Sequence, residues 1–210
     1  MRIVLLSSLC VLALALPVRA DSPLTSTPFS ESYTDLQAIQ KATVTHELSP
    51  DLIGFLARAE VPLDQKLALV NALGWNVEGQ KNHQRWLGYL RQHYGQLDAT
   101  AEQLPLKAEE QLLLGYLMVM DDYFQPRRGL FWLRRGALQL RTSQAAQMVL
   151  ALAEAQDYIN RPEFWCQVWL QVDRTLKNPD LNSDLRPTAL ALILDYLGLY
   201  QSECQRSQRH

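Results

Sequence analysis

Near the middle of this chain runs an apolar stretch that leaves a helix no polar side. Leu112, Leu113, Leu114, Tyr116, Leu117, Met118, Val119 and Met120 follow one another with only Gly115 between them, and Asp121 and Asp122 end the run. A helix over 106–121 built on this stretch has to be covered on several sides. The rest of the chain must therefore supply a shell of elements around it. The run is also too short to cross a bilayer core, which needs roughly 20 apolar residues.

The covering elements read as helices. Leu, Ala and Gln dominate, and alternation of apolar and polar residues with β-branched side chains is absent. Prolines punctuate the chain where helices begin: Pro50 after Ser49, Pro62 after Val61, then Pro105, Pro126, Pro162 and Pro187, with Gly74 able to end the helix that Pro62 starts. These signals predict helices near 35–47, 50–60, 62–73, 80–94, 106–121, 126–140, 143–158, 162–176 and 187–206. The fold class is all-α, with stacked helical hairpins forming a short α-solenoid or an irregular helical bundle. Ala145, Ala146, Ala151, Ala153 and Ala155 give the helix from Gln144 a small profile that lets neighbours approach closely.

The first twenty residues are set apart from this domain. Arg2 precedes an apolar run from Val4 to Leu16 broken only by Ser7 and Ser8, and Val18-Arg19-Ala20 places small residues where a signal peptidase reads them. The expectation is a signal peptide at 1–20, cleaved before Asp21, and a periplasmic or secreted protein with no integral membrane segment after cleavage. Cys10 lies inside the apolar run behind bulky Leu9, which argues against a lipoprotein. No asparagine stands in an Asn-x-Ser/Thr sequon. A flexible lead-in over 21–33, rich in Ser and Thr with Pro23 and Pro28, is expected before a single helical domain over 34–210.

Without the leader, 18 Lys and Arg face 22 Asp and Glu, a net charge of about −4 that argues against a general nucleic-acid binder. Two cysteines remain, Cys166 and Cys204, in a compartment where disulfides persist. A bridge would tie the last two helices together. Cys166 lies about 10 residues before the end of its helix and Cys204 about 18 into the next, so the loop 177–186 would have to absorb an offset of roughly 12 Å. Two separate buried thiols are the alternative.

A faint internal period accompanies the helices. Leu73-Gly74, Leu114-Gly115, Leu150-Ala151 and Leu190-Ala191 are 41, 36 and 40 residues apart, within the range of helical-hairpin repeats. Leu114-Gly115-Tyr116, then Asp122, Pro126 and Gly129-Leu130-Phe131-Trp132-Leu133-Arg134-Arg135-Gly136-Ala137, resembles one tetratricopeptide-type hairpin. Arg85 to Leu90 is similar in part. The likeness covers about one repeat. It implies a non-enzymatic scaffold, without a cofactor, that presents a groove to a peptide or protein.

Arg127, Arg128, Arg134, Arg135 and Arg141 crowd into fifteen residues of an acidic chain. Arg127, Arg134 and Arg141 recur every seven and form one stripe, with Arg128 and Arg135 beside it and Leu130, Phe131 and Leu138 turned elsewhere. Such a stripe suits an anionic partner: an acidic protein segment, a phosphate or an anionic glycan. The structural reading pairs it with Glu109, Glu110, Asp121 and Asp122. Trp75, Trp86, Tyr89, Tyr94, Trp132, Trp165 and Trp169 could line a groove, although Trp86/Tyr89 and Trp165/Trp169 have the spacing of packing residues.

Signals for chemistry are sparse. His83 and His93 do not share a helix face, His46 has no zinc-protease partner, and neither a Cys-x-x-Cys nor a Gly-x-Ser-x-Gly occurs. The expected function is an exported, non-enzymatic helical-repeat protein that binds a protein partner, possibly acidic, in the periplasm or cell envelope, as an assembly factor or an immunity-type inhibitor. The alternative is a periplasmic cell-wall or glycan hydrolase with acids around Asp121, Asp122 or Glu154.

Overall fold

Proline and glycine set the helix boundaries. Pro50 and Pro187 occupy first helical turns, Pro62 and Pro126 stand at N-caps, and Gly74 ends its helix at φ +64°. The computed structural model describes residues 22–75 and 79–207, so the leader expected at 1–20 and its cleavage site lie outside the described residues. The helices are α1 (Gln37–Thr45), α2 (Pro50–Ala57), α3 (Leu63–Leu73), α4 (Asn82–His93), α5 (Ala108–Asp121), α6 (Arg127–Gln139), α7 (Gln144–Tyr158), α8 (Trp165–Leu176), α9 (Pro187–Leu197) and α10 (Gln201–Ser207). Short 3₁₀ turns add Phe29–Tyr33, Ala101–Gln103, Pro162–Phe164 and Gly198–Tyr200. Among the described residues there is no strand; the one β-type contact is a lone bridge between Ser143 and Asn182.

The apolar run becomes α5, which touches α3, α4, α6 and α7. Its closest neighbour is α6, and glycine makes that closeness possible. A Cβ added at Gly115 would stand 2.4 Å from the Leu133 backbone nitrogen, and one at Gly129 would stand 2.6 Å from the Gly115 carbonyl oxygen. One at Gly136 would meet the Ala108 carbonyl oxygen at 2.6 Å. The two backbones therefore pack with no side chain between them at these points. A single hydrophobic core then runs from Leu24 to Tyr200.

The lead-in differs from expectation. Leu24, Phe29 and Tyr33 are fully buried, and the turn Phe29–Tyr33 packs against α3 and α9. Its backbone finds partners inside the protein, which is what permits burial. Asn71 accepts from the Ser30 N–H at 3.0 Å and donates to the Thr27 carbonyl at 3.2 Å. Arg186 donates to the Ser32 carbonyl at 2.7 Å and clasps Asp35 at 2.6 and 3.0 Å, while its guanidinium lies 4.3 Å from the centre of the Tyr33 ring. The Ser, Thr and Pro content signalled a turn-rich path, not an unstructured one.

The C-terminal arm also departs from a single helix over 187–206. α9 packs on the turn Phe29–Tyr33, whereas α10 packs on α8, with the 3₁₀ turn Gly198–Tyr200 between them. Cys166 and Cys204 are bridged, with Sγ atoms 2.12 Å and Cα atoms 4.5 Å apart. α8 meets α10 more extensively than α9, and the two cysteines face each other there. The loop leading to α9 is itself held at the start of α7, where Asn182 N–H donates to the Thr142 carbonyl at 2.7 Å and Asp184 accepts from the Ala145 N–H at 2.9 Å.

Candidate partner-binding face

Helical periodicity divides α6 into two sides. Gly129, Leu130, Trp132, Leu133, Gly136 and Ala137 are buried, most of them against α5 and α7. The opposite side carries all the arginines of the helix together with two large apolar residues, Phe131 at 48% and Leu138 at 77% exposure. Phe124, in the turn before the helix, is 63% exposed. Phe131 and Leu138 are thus on the exposed arginine side, contrary to the expectation that they turn elsewhere. The spacing 128, 131, 135, 138 lays Arg128, Phe131, Arg135 and Leu138 in one strip along the helix.

The five arginines separate into three groups. Arg127 Nε donates to Asp157 at 3.4 Å and Arg134 Nε to Glu154 at 2.9 Å, so both are paired with acids of α7. The acids expected as partners, Glu109, Glu110, Asp121 and Asp122, are not the ones used. Arg135 holds its guanidinium carbon 5.5 Å from the Phe131 ring centre and 5.6 Å from that of Trp132. Arg128 lines a shallow cavity of about 330 Å³ with Glu102, Met118, Phe131 and Trp132. Arg141 lies past the end of α6 and is exposed; neither it, Arg128 nor Arg135 forms an ion pair among the described residues.

The face therefore combines an aromatic ring, an aliphatic side chain and two cations that form no ion pair among the described residues, with Glu102 in the wall of the cavity beside Arg128. Each guanidinium carries five N–H donors in a fixed fork that fits a carboxylate. Arg and aromatic residues also dominate the energetics of protein interfaces. The arrangement can seat a helix or strand that offers acids at its edges and apolar groups at its centre.

Elsewhere, two of the three acids of the hydrolase reading are engaged by other groups. Asp121 is buried; its Oδ2 accepts from the His83 backbone N–H at 2.8 Å and lies 2.5 Å from His83 Nδ1, so the carboxylate caps the first turn of α4. Asp122 is exposed, and Glu154 faces Arg134. Among the described residues, no group of three His, Cys, Asp or Glu side chains gathers where it could hold a metal ion. None of the described helices is long and apolar enough to cross a membrane. Trp86 and Trp132 are buried, while Trp75, Tyr89, Tyr94, Trp165 and Trp169 pack against the core partly exposed, scattered over several helices. No protein family, curated protein or solved structure matches this chain.

Proposed function

We propose that this chain is an exported, non-enzymatic helical binding protein that captures an acidic segment of another protein on the outer face of α6. The observation that carries this reading is the strip of Arg128, Phe131, Arg135 and Leu138, in which exposed apolar groups alternate with cations that have no carboxylate partner among the described residues. Exposed large apolar groups beside unpaired guanidinium groups are the composition of an interface, not of a solvated helix side. The glycine-packed α5/α6 hairpin, similar to a tetratricopeptide unit, would hold the strip rigid. The Val4–Leu16 run and the Cys166–Cys204 bridge both suit a periplasmic or secreted location. The role is that of an assembly factor or of an immunity-type inhibitor.

The test is affinity capture with the chain lacking residues 1–20, followed by identification of the partner by mass spectrometry and titration of the purified pair. The Arg128→Glu/Arg135→Glu protein loses at least tenfold in affinity with an unchanged circular dichroism spectrum, because each side chain is exposed. The Arg127→Glu/Arg134→Glu protein loses less, since its arginines already have partners on α7. Equal affinity of the first double variant and the parent would end this reading.

A further inference from the structure

A second cavity, of about 150 Å³, opens between the end of α2, α4 and the first turn of α5, away from the α6 strip. One wall is aromatic: Trp86 and Tyr89 lie with ring centres 5.3 Å apart and planes 18° from parallel. Leu56 and Leu113 add apolar surface. Lys66 of α3 reaches the lining with a side chain only 2% exposed. Burying an ammonium is costly unless its hydrogen bonds are made. An ammonium has three N–H donors, and Lys66 gives one, to Glu109. Two remain beside open space.

Acids stand close to this cation. Glu109 keeps its carboxylate more than one-third exposed, and Glu110 accepts through Oε2 from the Tyr94 hydroxyl at 2.7 Å and from the Lys107 N–H at 2.8 Å. Both bonds fall on one oxygen, so Oε1 is left to accept from elsewhere. Burial, and then the bond to Glu110, push the Tyr94 phenol up to about 12, which keeps it a donor that orients this carboxylate. The lining thus carries Lys66 and Lys107 against Glu109 and Glu110, with His93 stacked on Tyr89 beside them, so that a ligand of either single charge would meet a like charge. A ligand carrying both charges meets an opposite charge at each end.

We propose that this cavity binds a free α-amino acid with an apolar side chain. The carboxylate accepts from Lys66, the ammonium donates to the Glu109 and Glu110 carboxylates, and the side chain lies against Trp86, Tyr89, Leu56 and Leu113. The size agrees, because a dry apolar cavity of about 150 Å³ takes a molecule as large as benzene, close to the bulk of a leucine or phenylalanine side chain. The ammonium would sit toward the more exposed Glu109, and the carboxylate deeper, at the buried Lys66. This site is independent of the α6 strip and stands or falls separately from it.

The chain lacking residues 1–20 is titrated with L-leucine and with L-phenylalanine by calorimetry and by indole fluorescence, which Trp86 reports. At least one binds with a Kd below about 1 mM, whereas 4-methylpentanoate and isoamylamine, each lacking one charge, bind at least tenfold more weakly. Ala57 is exposed and lines the cavity, so Ala57→Trp closes the opening without touching the core and removes binding. Lys66→Met weakens it at least tenfold; should that variant fail to fold, Ala57→Trp decides alone. Absence of heat and of a fluorescence change for both amino acids up to about 10 mM overturns the proposal, as does binding that Ala57→Trp leaves intact, or half-ligands that bind as well as the whole.

Discussion

The α5/α6 hairpin and the C-terminal arm of α8, α9 and α10 hold helices together by opposite means. In the hairpin the backbones meet at Gly115, Gly129 and Gly136, and ten of the fourteen residues of α5 are buried. In the arm α8 buries only Val168, Gln171 and Val172, and α9 only Ala189, Ile193 and Leu197. What the arm lacks in apolar contact it replaces with a covalent bond from Cys166 to Cys204 and with side-chain bonds from its loop. Close packing needs many residues of the right size in register, whereas a disulfide needs two. A region that buries little can be fixed in place only if something other than the hydrophobic effect fixes it.

The comparison breaks most sharply at the glycines. Gly115→Ala/Gly129→Ala puts one methyl group 2.4 Å from the Leu133 backbone nitrogen and the other 2.5 Å from Val119 Cγ1 and 2.6 Å from the Gly115 carbonyl oxygen, and the backbone atoms cannot rotate away. Overpacking costs about 1–3 kcal/mol per site, so the double variant loses about 4 kcal/mol in urea denaturation. A loss below about 1 kcal/mol would mean that the helices separate freely and that the close approach is not what holds α6. Removing the bridge is the complementary cut. Cys166→Ser/Cys204→Ser opens a crosslink spanning 38 residues, for which chain entropy gives about 4 kcal/mol. Hydrogen exchange then speeds up in α10 and the last turns of α9 while α5 and α6 keep their protection; equal acceleration in α5 would show that the arm and hairpin are one unit.

High pH separates the regions more gently. Burial raises the phenols of Tyr116, in α5, and Tyr33, in the lead-in turn that supports α9, above their ordinary value of 10.0. Bonds to Asn71 and to the Arg186 N–H pull the other way but do not cancel it. A raised acid keeps its proton in the folded chain after the unfolded chain has released it. Stability is therefore full below pH 10 and falls as pH climbs past it, by up to about 1.4 kcal/mol per pH unit for each tyrosine. Tyr116→Phe removes part of that slope, and a slope that stays unchanged would mean that Tyr116 does not resist ionisation.

Much of this division was legible in residues whose surroundings are local. The Leu112–Met120 run announced the central helix, and helix starts at Pro50 and Pro187 followed from backbone geometry that proline fixes by itself. The Cys166–Cys204 pairing was legible as a possibility, but the seat of α9 on Phe29–Tyr33 is a contact across more than 150 residues. The lead-in was misread because its anchors, Leu24, Phe29 and Tyr33, are spaced too irregularly for a helical pattern and are satisfied by Asn71 and Arg186 from far along the chain. In the candidate face, the arginines stand out by density, yet the acids that pair with Arg127 and Arg134 come from α7, 30 and 20 residues further along the chain. The 3-4-3 spacing from Arg128 to Leu138 was the signal that could have placed Phe131 with them.

The smallest expected effect lies on the seam between the hairpin and α7, the helix that leads into the arm, where Arg134 of α6 meets Glu154 of α7. Arg134 is more than half exposed and Glu154 one-quarter, so water screens the pair and holding the long side chain still offsets part of the attraction. Exposed pairs of this kind contribute about 0.2–1 kcal/mol, and Arg134→Ala should therefore cost well under 1 kcal/mol in the same urea titration, with a further decrease of the wild-type contribution at high salt. A double-mutant cycle with Glu154→Ala isolates the pair from the packing that the arginine stem provides. A coupling larger than about 2 kcal/mol would place the ion pair among the groups that hold α7 against α6, and the seam would then owe its position to charge. A coupling near zero leaves the seam to Leu133, Ala137 and the alanines of α7, as their burial leads one to expect.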